Sequence, residues 1–352
     1  MFVRGQQFVI ICLAVTLVMA AQCDVRPIQP ASQTSEVSII ADHGRELGAG
    51  NGLEDLGPVS LKTGEKLRVV ATTNIVADLT RQVAADRIAL TTLLPVGADP
   101  HTFAPSPQDA AAVADAHVVF INGLGLEEFL KELIENAGGN APVVITASGV
   151  ETRALNQTGE HGGNLDAKEQ EEAGSQPMVD PHVWMTPVNA VIMVHNIEQT
   201  VSALDPGNAD IYRQNAAGYK AQLEELDAWV KEQINSIPPA HRKMITDHDS
   251  FGYFAERYGL EVVGAIIPAY STSAEPSARE IAALQDKIKA HDVRAVFVGM
   301  TVNPVLARQM TVDTQIKFVP LYTGSLGGAG SGAETYTDLI RYNTRAIVEA
   351  LK

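Results

Sequence analysis

The sequence predicts an α/β protein of two lobes, each a mainly parallel sheet flanked by helices, joined by one long helix. Apolar, β-branched segments alternate with segments of helical period over residues 66–146, and the alternation returns over residues 243–351. Between them, a helical period runs unbroken over residues 205–237. The length of 352 residues also exceeds what one hydrophobic core usually serves, so two lobes are expected.

The N-terminal lobe is predicted over residues 66–204, where strands and helices alternate. In sheets built from such alternation, ligands bind beyond the carboxyl ends of the strands. The loop that follows the second strand carries His101 and is therefore a candidate binding loop. The predicted strands are 66–73, 88–96, 118–122 and 143–146, and the predicted helices are 74–85, 108–116, 126–137 and 188–204.

A linking helix is predicted over residues 205–237, where apolar side chains recur every three, four or seven residues until Pro238-Pro239 ends the run. At 1.5 Å per residue such a helix is about 45 Å long, enough to join two lobes. The C-terminal lobe, residues 238–352, contains a predicted capping box at Ser277 and Glu280. Its predicted strands are 243–246, 260–267, 293–298 and 317–322, and its predicted helices are 251–258, 278–290, 304–313 and 336–351.

The N-terminus has the pattern of an export signal. One arginine precedes an apolar run and small residues that end at Cys23, so residues 1–23 are predicted to be a signal peptide with a lipobox. An ordinary secretory signal with an incidental cysteine is the alternative. Residues 24–65 are rich in Pro, Ser, Gln and Gly and are predicted to be a flexible tether. The protein is therefore expected outside the cytoplasm, anchored to a membrane through Cys23 or free in the periplasm.

The charge of the chain limits its partners. The formal net charge is −16, which argues against a nucleic-acid partner because such partners require a basic surface. The only cysteines are Cys12 and Cys23, so the folded body offers neither a disulfide nor a thiolate metal site. Residues 151–178 are acidic, contain glycines and one histidine, His161, and are predicted to be a solvated surface loop.

Three histidines share a context that points to one metal site, although each alone is more often a structural histidine. His101 and His182 each follow an Asp-Pro dipeptide, while His248 comes directly after a strand of the C-terminal lobe. His248 lies between Asp247 and Asp249, either of which can orient its ring. We therefore predict that His101, His182 and His248 bind one metal ion.

Four motifs in this chain resemble those of the metal-binding proteins of bacterial ABC importers for zinc and manganese, the ZnuA/TroA type. The resemblance covers residues 66–352 and implies two α/β lobes joined by one long rigid helix, with the metal held between them. It implies His101 and His182 as ligands from the first lobe and His248 from the second. It also implies a monomer that docks on a membrane permease. The motifs are Gly97-Ala98-Asp99-Pro100-His101, Asp180-Pro181-His182-Val183-Trp184, His248-Asp249-Ser250-Phe251-Gly252-Tyr253-Phe254 and Ser273-Ala274-Glu275-Pro276-Ser277.

The chain departs from this family at the fourth ligand. The family has an aspartate where Gly324 stands, so the resemblance leaves the fourth position to water, to a nearby carboxylate such as Asp249 or Glu334, or to no ligand until the lobes close. Imidazole suits zinc, whereas carboxylate and water suit manganese. Manganese-importing relatives have a glutamate where His248 stands. Zn²⁺ is therefore the expected cargo, ahead of Mn²⁺.

Three other functions are alternatives to a zinc-importing solute-binding protein. A zinc-dependent hydrolase also uses three histidines and an open position, but no His-Glu-x-x-His helix occurs in the sequence. A manganese-specific binding protein of the same family and a surface adhesin with a structural metal are the other two. The expected protein is a solute-binding protein and not an enzyme.

Overall fold

The computed structural model describes residues 38–41, 45–47, 56–154 and 179–352 of the chain. The strands are β1 (Ser38–Ala41), β2 (Arg45–Leu47), β3 (Leu67–Ala71), β4 (Ile88–Thr92), β5 (Val118–Ile121), β6 (Val143–Ile145), β7 (Lys243–His248), β8 (Glu261–Ile267), β9 (Ala295–Gly299) and β10 (Lys317–Leu321). The helices are α1 (Asn74–Ala84), α2 (Pro107–Ala114), α3 (Leu130–Ala137), α4 (Pro187–Leu204), α5 (Ala209–Asn235), α6 (Gly252–Tyr258), α7 (Ala278–Ala290), α8 (Val305–Thr314) and α9 (Tyr336–Leu351).

The described strands form two sheets, one in each half of the chain. The first has the order β2-β1-β6-β5-β3-β4, in which β3 to β6 are parallel and β1 pairs antiparallel with both β6 and β2. The second has the order β10-β9-β7-β8 and is parallel throughout. The predicted fold class, two mainly parallel sheets flanked by helices, is confirmed.

The long helix α5 lies between the two sheets in the chain and packs on both halves. It has 27 residues and contacts α1 and α4 from the first half and α6 and α9 from the second. Its buried side chains recur at the helical period and join the main hydrophobic core. These side chains are Ala209, Tyr212, Ala216, Tyr219, Leu223, Leu226, Val230 and Ile234.

Local signals in the sequence explain several helix ends. The predicted capping box of α7 is present, because the Ser277 hydroxyl accepts a hydrogen bond from the Glu280 amide and the Glu280 carboxylate accepts one from the Ser277 amide. Helix α6 ends at Gly259, which has a φ of +74° and takes the left-handed conformation that glycine adopts without strain.

The structure differs from the predicted tether in part of residues 24–65. Strands β1 and β2 lie in this segment and extend the first sheet beyond β6. Further along, the amide of Val59 donates a hydrogen bond to the carbonyl of Leu204, and Leu56, Val59 and Leu61 pack against the core. The tether was predicted from the composition averaged over the whole segment. That average does not reflect the short β-branched stretch Ile39-Ile40, which is typical of a strand. Similarly, helix α3 begins at Leu130 rather than at residue 126.

Three sequence predictions fall outside the described residues: the signal peptide over residues 1–23, its lipidated Cys23, and residues 155–178 of the acidic loop with His161. At the base of that loop, Ala154 and Val179 form an antiparallel bridge. Within the described residues, none of the helices combines the length and the hydropathy that a membrane span requires.

Candidate metal centre

Three imidazole rings from distant parts of the sequence meet at one point between the two halves. Nε2 of His182 lies 3.2 Å from Nε2 of His101 and 3.2 Å from Nε2 of His248. The nitrogen atoms they offer all lie within 4.8 Å of one another. Among the residues that the structure describes, this is the one group of three or more His, Cys, Asp or Glu side chains that converges in this way. The structure therefore brings together the three histidines named from the sequence.

His182 is buried and held by a carboxylate behind it. Its Nδ1 lies 2.9 Å from Oδ1 of Asp180, and its backbone amide donates to the same oxygen over 3.0 Å. The second oxygen of Asp180 accepts a hydrogen bond of 2.9 Å from the Arg153 guanidinium. Burial would raise the pKa of Asp180, but its bonds and charge interactions with His182 and Arg153 hold that pKa below its usual value. The charged carboxylate fixes the proton of His182 on Nδ1 and turns Nε2 into the cluster.

His248 is the last residue of β7 and is held in the same way. Its Nδ1 lies 3.1 Å from Oδ1 of Asp247, whose Oδ2 accepts the Gly299 amide over 2.8 Å. Both side chains are buried. The sequence left open whether Asp247 or Asp249 orients this ring, and the structure assigns Asp247.

His101 lies on the loop between β4 and α2 and is half-buried. Asp99 holds this loop: its Oδ1 accepts the His101 amide over 3.0 Å, and its Oδ2 accepts the Thr272 hydroxyl over 2.6 Å. Because Thr272 belongs to the C-terminal half, the loop that carries His101 is tied to both halves.

The three rings differ in their affinity for protons. Burial lowers the pKa of His101 to about 2, and the two neighbouring imidazoles act in the same direction. Burial also lowers the pKa of His182. For His248 burial acts downward as well, but the charge of Asp247 and its hydrogen bond outweigh burial and raise the pKa. His248 is therefore the first ring to take up a proton as the pH falls.

Neither carboxylate considered as a fourth donor belongs to the converging group. Asp249 is half-buried next to His248, and burial raises its pKa. Glu334 is exposed and accepts a hydrogen bond from the Gly330 amide. The space beside Gly324 is occupied by Pro100 of the N-terminal half, because a Cβ atom at position 324 would lie 2.8 Å from Cδ of Pro100.

Sequence reasoning missed the residues that connect the site across the two halves. Arg153 donates to Asp180 and also to Glu256 on α6, over 3.0 Å. Its guanidinium packs so closely on Gly252 that a Cβ atom there would collide with it. Trp184 packs against the His182 ring and donates from Nε1 to the Thr323 carbonyl. The only available signal was indirect, namely the proximity of Trp184 to His182 in the sequence.

Comparison with known proteins gives one family. The profile of the ZnuA family, described as zinc-uptake complex component A, periplasmic, matches residues 69–350. The chain is 34% identical over 306 residues to the manganese-binding lipoprotein MntA of Halalkalibacterium halodurans, covering 87% of this chain and 94% of the relative. It is 32% identical over 302 residues to the manganese ABC transporter substrate-binding lipoprotein PsaA of Streptococcus mitis, covering 84% and 92%.

Solved structures agree with this relationship. The periplasmic zinc-binding protein TroA of Treponema pallidum superposes with a TM-score of 0.70 at 28% identity, covering 81% of this chain and 99% of that one. The Mn-bound periplasmic metal-binding protein of Candidatus Liberibacter asiaticus, an S38A mutant, superposes with a TM-score of 0.70 at 26% identity, with the same coverage.

Removing the charge behind His182 should weaken metal binding. In Asp180→Asn the charged carboxylate that fixes the His182 tautomer is lost, and Arg153 keeps Glu256 but loses its bond to that carboxylate, so affinity for a divalent metal ion such as Zn²⁺ should fall about 10–100-fold. Competition with a chromophoric chelator measures the change. The control is Asp210→Asn, which removes an exposed carboxylate paired with Arg213. Equal affinities of the Asp180 variant and the control would contradict the assigned role.

The affinity should also depend on pH in a defined way. An ion bound at the three rings would compete with a proton for Nε2 of His248, because Nδ1 of this ring already faces Asp247. The carboxylates that raise its pKa are Asp247, Asp99 and Asp249. Affinity should therefore fall with a slope of one proton as the pH drops through a value above the ordinary histidine pKa of about 6.5. Chelator competition between about pH 5 and 8 tests this. A slope of two or three protons, or a break below the ordinary value, would show that other rings titrate.

Proposed function

The chain belongs to the ZnuA family of periplasmic zinc-uptake components, and on this basis we propose that it captures Zn²⁺ and delivers it to the permease of an ABC importer. Family membership makes the chain a metal-binding, extracytoplasmic substrate-binding protein of an ABC transporter, not an enzyme. The zinc-hydrolase alternative is therefore set aside. The ion is the cargo of the protein, and His101, His182 and His248 are its proposed ligands.

The convergence of three imidazole nitrogens is the observation that carries this proposal. Two of the rings are held by charged carboxylates on their far side, which leaves Nε2 free to bind an ion. A tetrahedral Zn²⁺ ion accepts such nitrogens at about 2.0–2.1 Å. The converging group of described side chains contains no carboxylate, and this composition favours Zn²⁺ over Mn²⁺.

Manganese is the second candidate cargo, and a specific observation favours it. The relatives MntA and PsaA are named for manganese, whereas TroA is named for zinc. Sequence identity at this level does not show that two relatives bind the same metal, since a change of one ligand alters the metal preference of a site. The choice therefore depends on a direct comparison of the two ions.

Anchoring and docking complete the proposal. MntA and PsaA are named lipoproteins, which supports lipidation of this chain at Cys23. A lipid anchor would keep the metal-binding part beside the permease that receives the ion. That the protein is a monomer and that it has a role in adhesion both remain predictions.

Titration of the purified protein with each ion tests the proposed cargo. We expect one Zn²⁺ per chain, bound at least about tenfold more tightly than Mn²⁺, because imidazole ligands favour zinc. Chelator competition gives the affinities, and thermal unfolding gives an independent readout because a bound ion stabilises the folded state.

Substitution of all three histidines by alanine should abolish this binding. The matched control is His291→Ala, which removes an exposed histidine at the end of α7. Tighter binding of Mn²⁺ would transfer the proposal to manganese. Unchanged zinc binding by the triple variant would refute the assigned site.

A further inference from the structure

The segment Thr323-Gly324-Ser325-Leu326 lies shortly after β10 and contacts the N-terminal half at Asn74 and at the loop that carries His101. We call it the docking segment. Ser325 is buried, and its hydroxyl accepts the Gly97 amide and the Asn74 side-chain amide, each over 2.8 Å. The same hydroxyl donates to the Leu326 carbonyl over 2.9 Å. One donated and two accepted bonds use the full capacity of a hydroxyl, so Ser325 is completely committed to this contact.

A second bond fixes the docking segment to the same place. The Leu326 amide donates to Oδ1 of Asn74 over 2.8 Å, so the Asn74 side chain bonds to two successive residues of the segment. Asn74 is buried and is the first residue of α1. The segment is thereby held both by a helix and by the loop that leads to His101.

Gly324 brings this contact to the residue beside the metal ligand. A Cβ atom at position 324 would lie 2.8 Å from Cδ and 3.2 Å from Cγ of Pro100. Both atoms belong to a ring that is closed on the backbone, so they cannot rotate away as the end of a flexible side chain can. Pro100 directly precedes His101 in the chain, and a shift of its ring therefore moves His101.

Three of the four residues before His101 thus contact the C-terminal half. Gly97 bonds to Ser325, Asp99 bonds to Thr272, and Pro100 packs on Gly324. We propose that Gly324 and Ser325 are positioning residues for metal capture, which hold the His101 loop so that the His101 ring stands at the cluster. This inference rests on the proposed function, in which His101 is a ligand.

Gly324 is thus a residue that positions the His101 loop, and not only the place of a missing metal ligand. In the packing of this chain, the glycine permits a close approach of the Pro100 ring, because a Cβ atom at position 324 would lie 2.8 Å from its Cδ. Restoring the carboxylate with Gly324→Asp should therefore weaken binding of both Zn²⁺ and Mn²⁺, because the new side chain displaces the His101 loop. If Gly324 were only a missing ligand, the same change would tighten binding, and that result would overturn the proposal.

A double-mutant cycle tests the contact itself in the full-length protein. Gly324→Ala should weaken Zn²⁺ binding about tenfold, since contacting residues couple by amounts of this order. Pro100→Ala removes Cγ and Cδ, the two atoms that the new methyl group would meet, and its own affinity is the reference against which the double variant is compared. The double variant should recover to the affinity of Pro100→Ala. Equal loss in Gly324→Ala and in the double variant would show no coupling and would overturn the proposal.

Amide hydrogen exchange in the metal-free protein gives a readout that does not depend on bound metal. Ser325→Ala should speed exchange of the Gly97 amide about tenfold or more, since that amide loses its acceptor. The control is Ser202→Ala, which removes a serine hydroxyl bonded to Glu198 within α4. Unchanged exchange at Gly97 in the Ser325 variant would overturn the proposal.

An error in the ligand set and an error in the positioning role would give different results. If His101→Ala binds Zn²⁺ as tightly as the unchanged protein, the proposed ligand set is wrong, while the exchange of Gly97 still decides whether the docking segment holds the loop. If His101→Ala loses zinc and the cycle shows no coupling, the ligand set stands and the positioning role is wrong.

Discussion

A charged carboxylate bonds to the far nitrogen of each of the two buried imidazoles, and the geometry of the candidate metal centre depends on these two contacts. Asp180 and Asp247 fix the protons of His182 and His248 on Nδ1 and turn both Nε2 atoms to one point. Arg153 and the Gly299 amide hold the two carboxylates from behind. Each half of the chain therefore supplies one oriented ring, and the adjacent negative charge favours a cation at the point where they meet.

Several contacts between the halves are hydrogen bonds to buried groups. Trp184 bonds from Nε1 to the Thr323 carbonyl, and the Tyr336 hydroxyl bonds to the Trp184 carbonyl. Helix α5 packs on helices from both halves and contributes to the same core. Contacts of this kind hold the three rings together without an ion, so the proposed site would lose little free energy of binding to rearrangement.

The fold and the three histidines were predictable from the sequence because their signals are local. Apolar periodicity located the alternating strands and helices, and the motifs around His101, His182 and His248 resemble those of one family. The contacts that hold the site in place were not predictable. Ser325 bonds to Gly97, 228 residues away in the sequence, and Arg153 bonds to Glu256, 103 residues away. Such pairs depend on how the halves pack, and neither periodicity nor local composition encodes that packing.

The central claim is that one ion binds at the point where the three Nε2 atoms converge. Anomalous diffraction at the zinc absorption edge, from crystals of the zinc-loaded protein, tests it most directly. We expect a single strong peak at about 2.0–2.1 Å from Nε2 of His101, His182 and His248. A peak elsewhere, or one that omits any of these three rings, would contradict it.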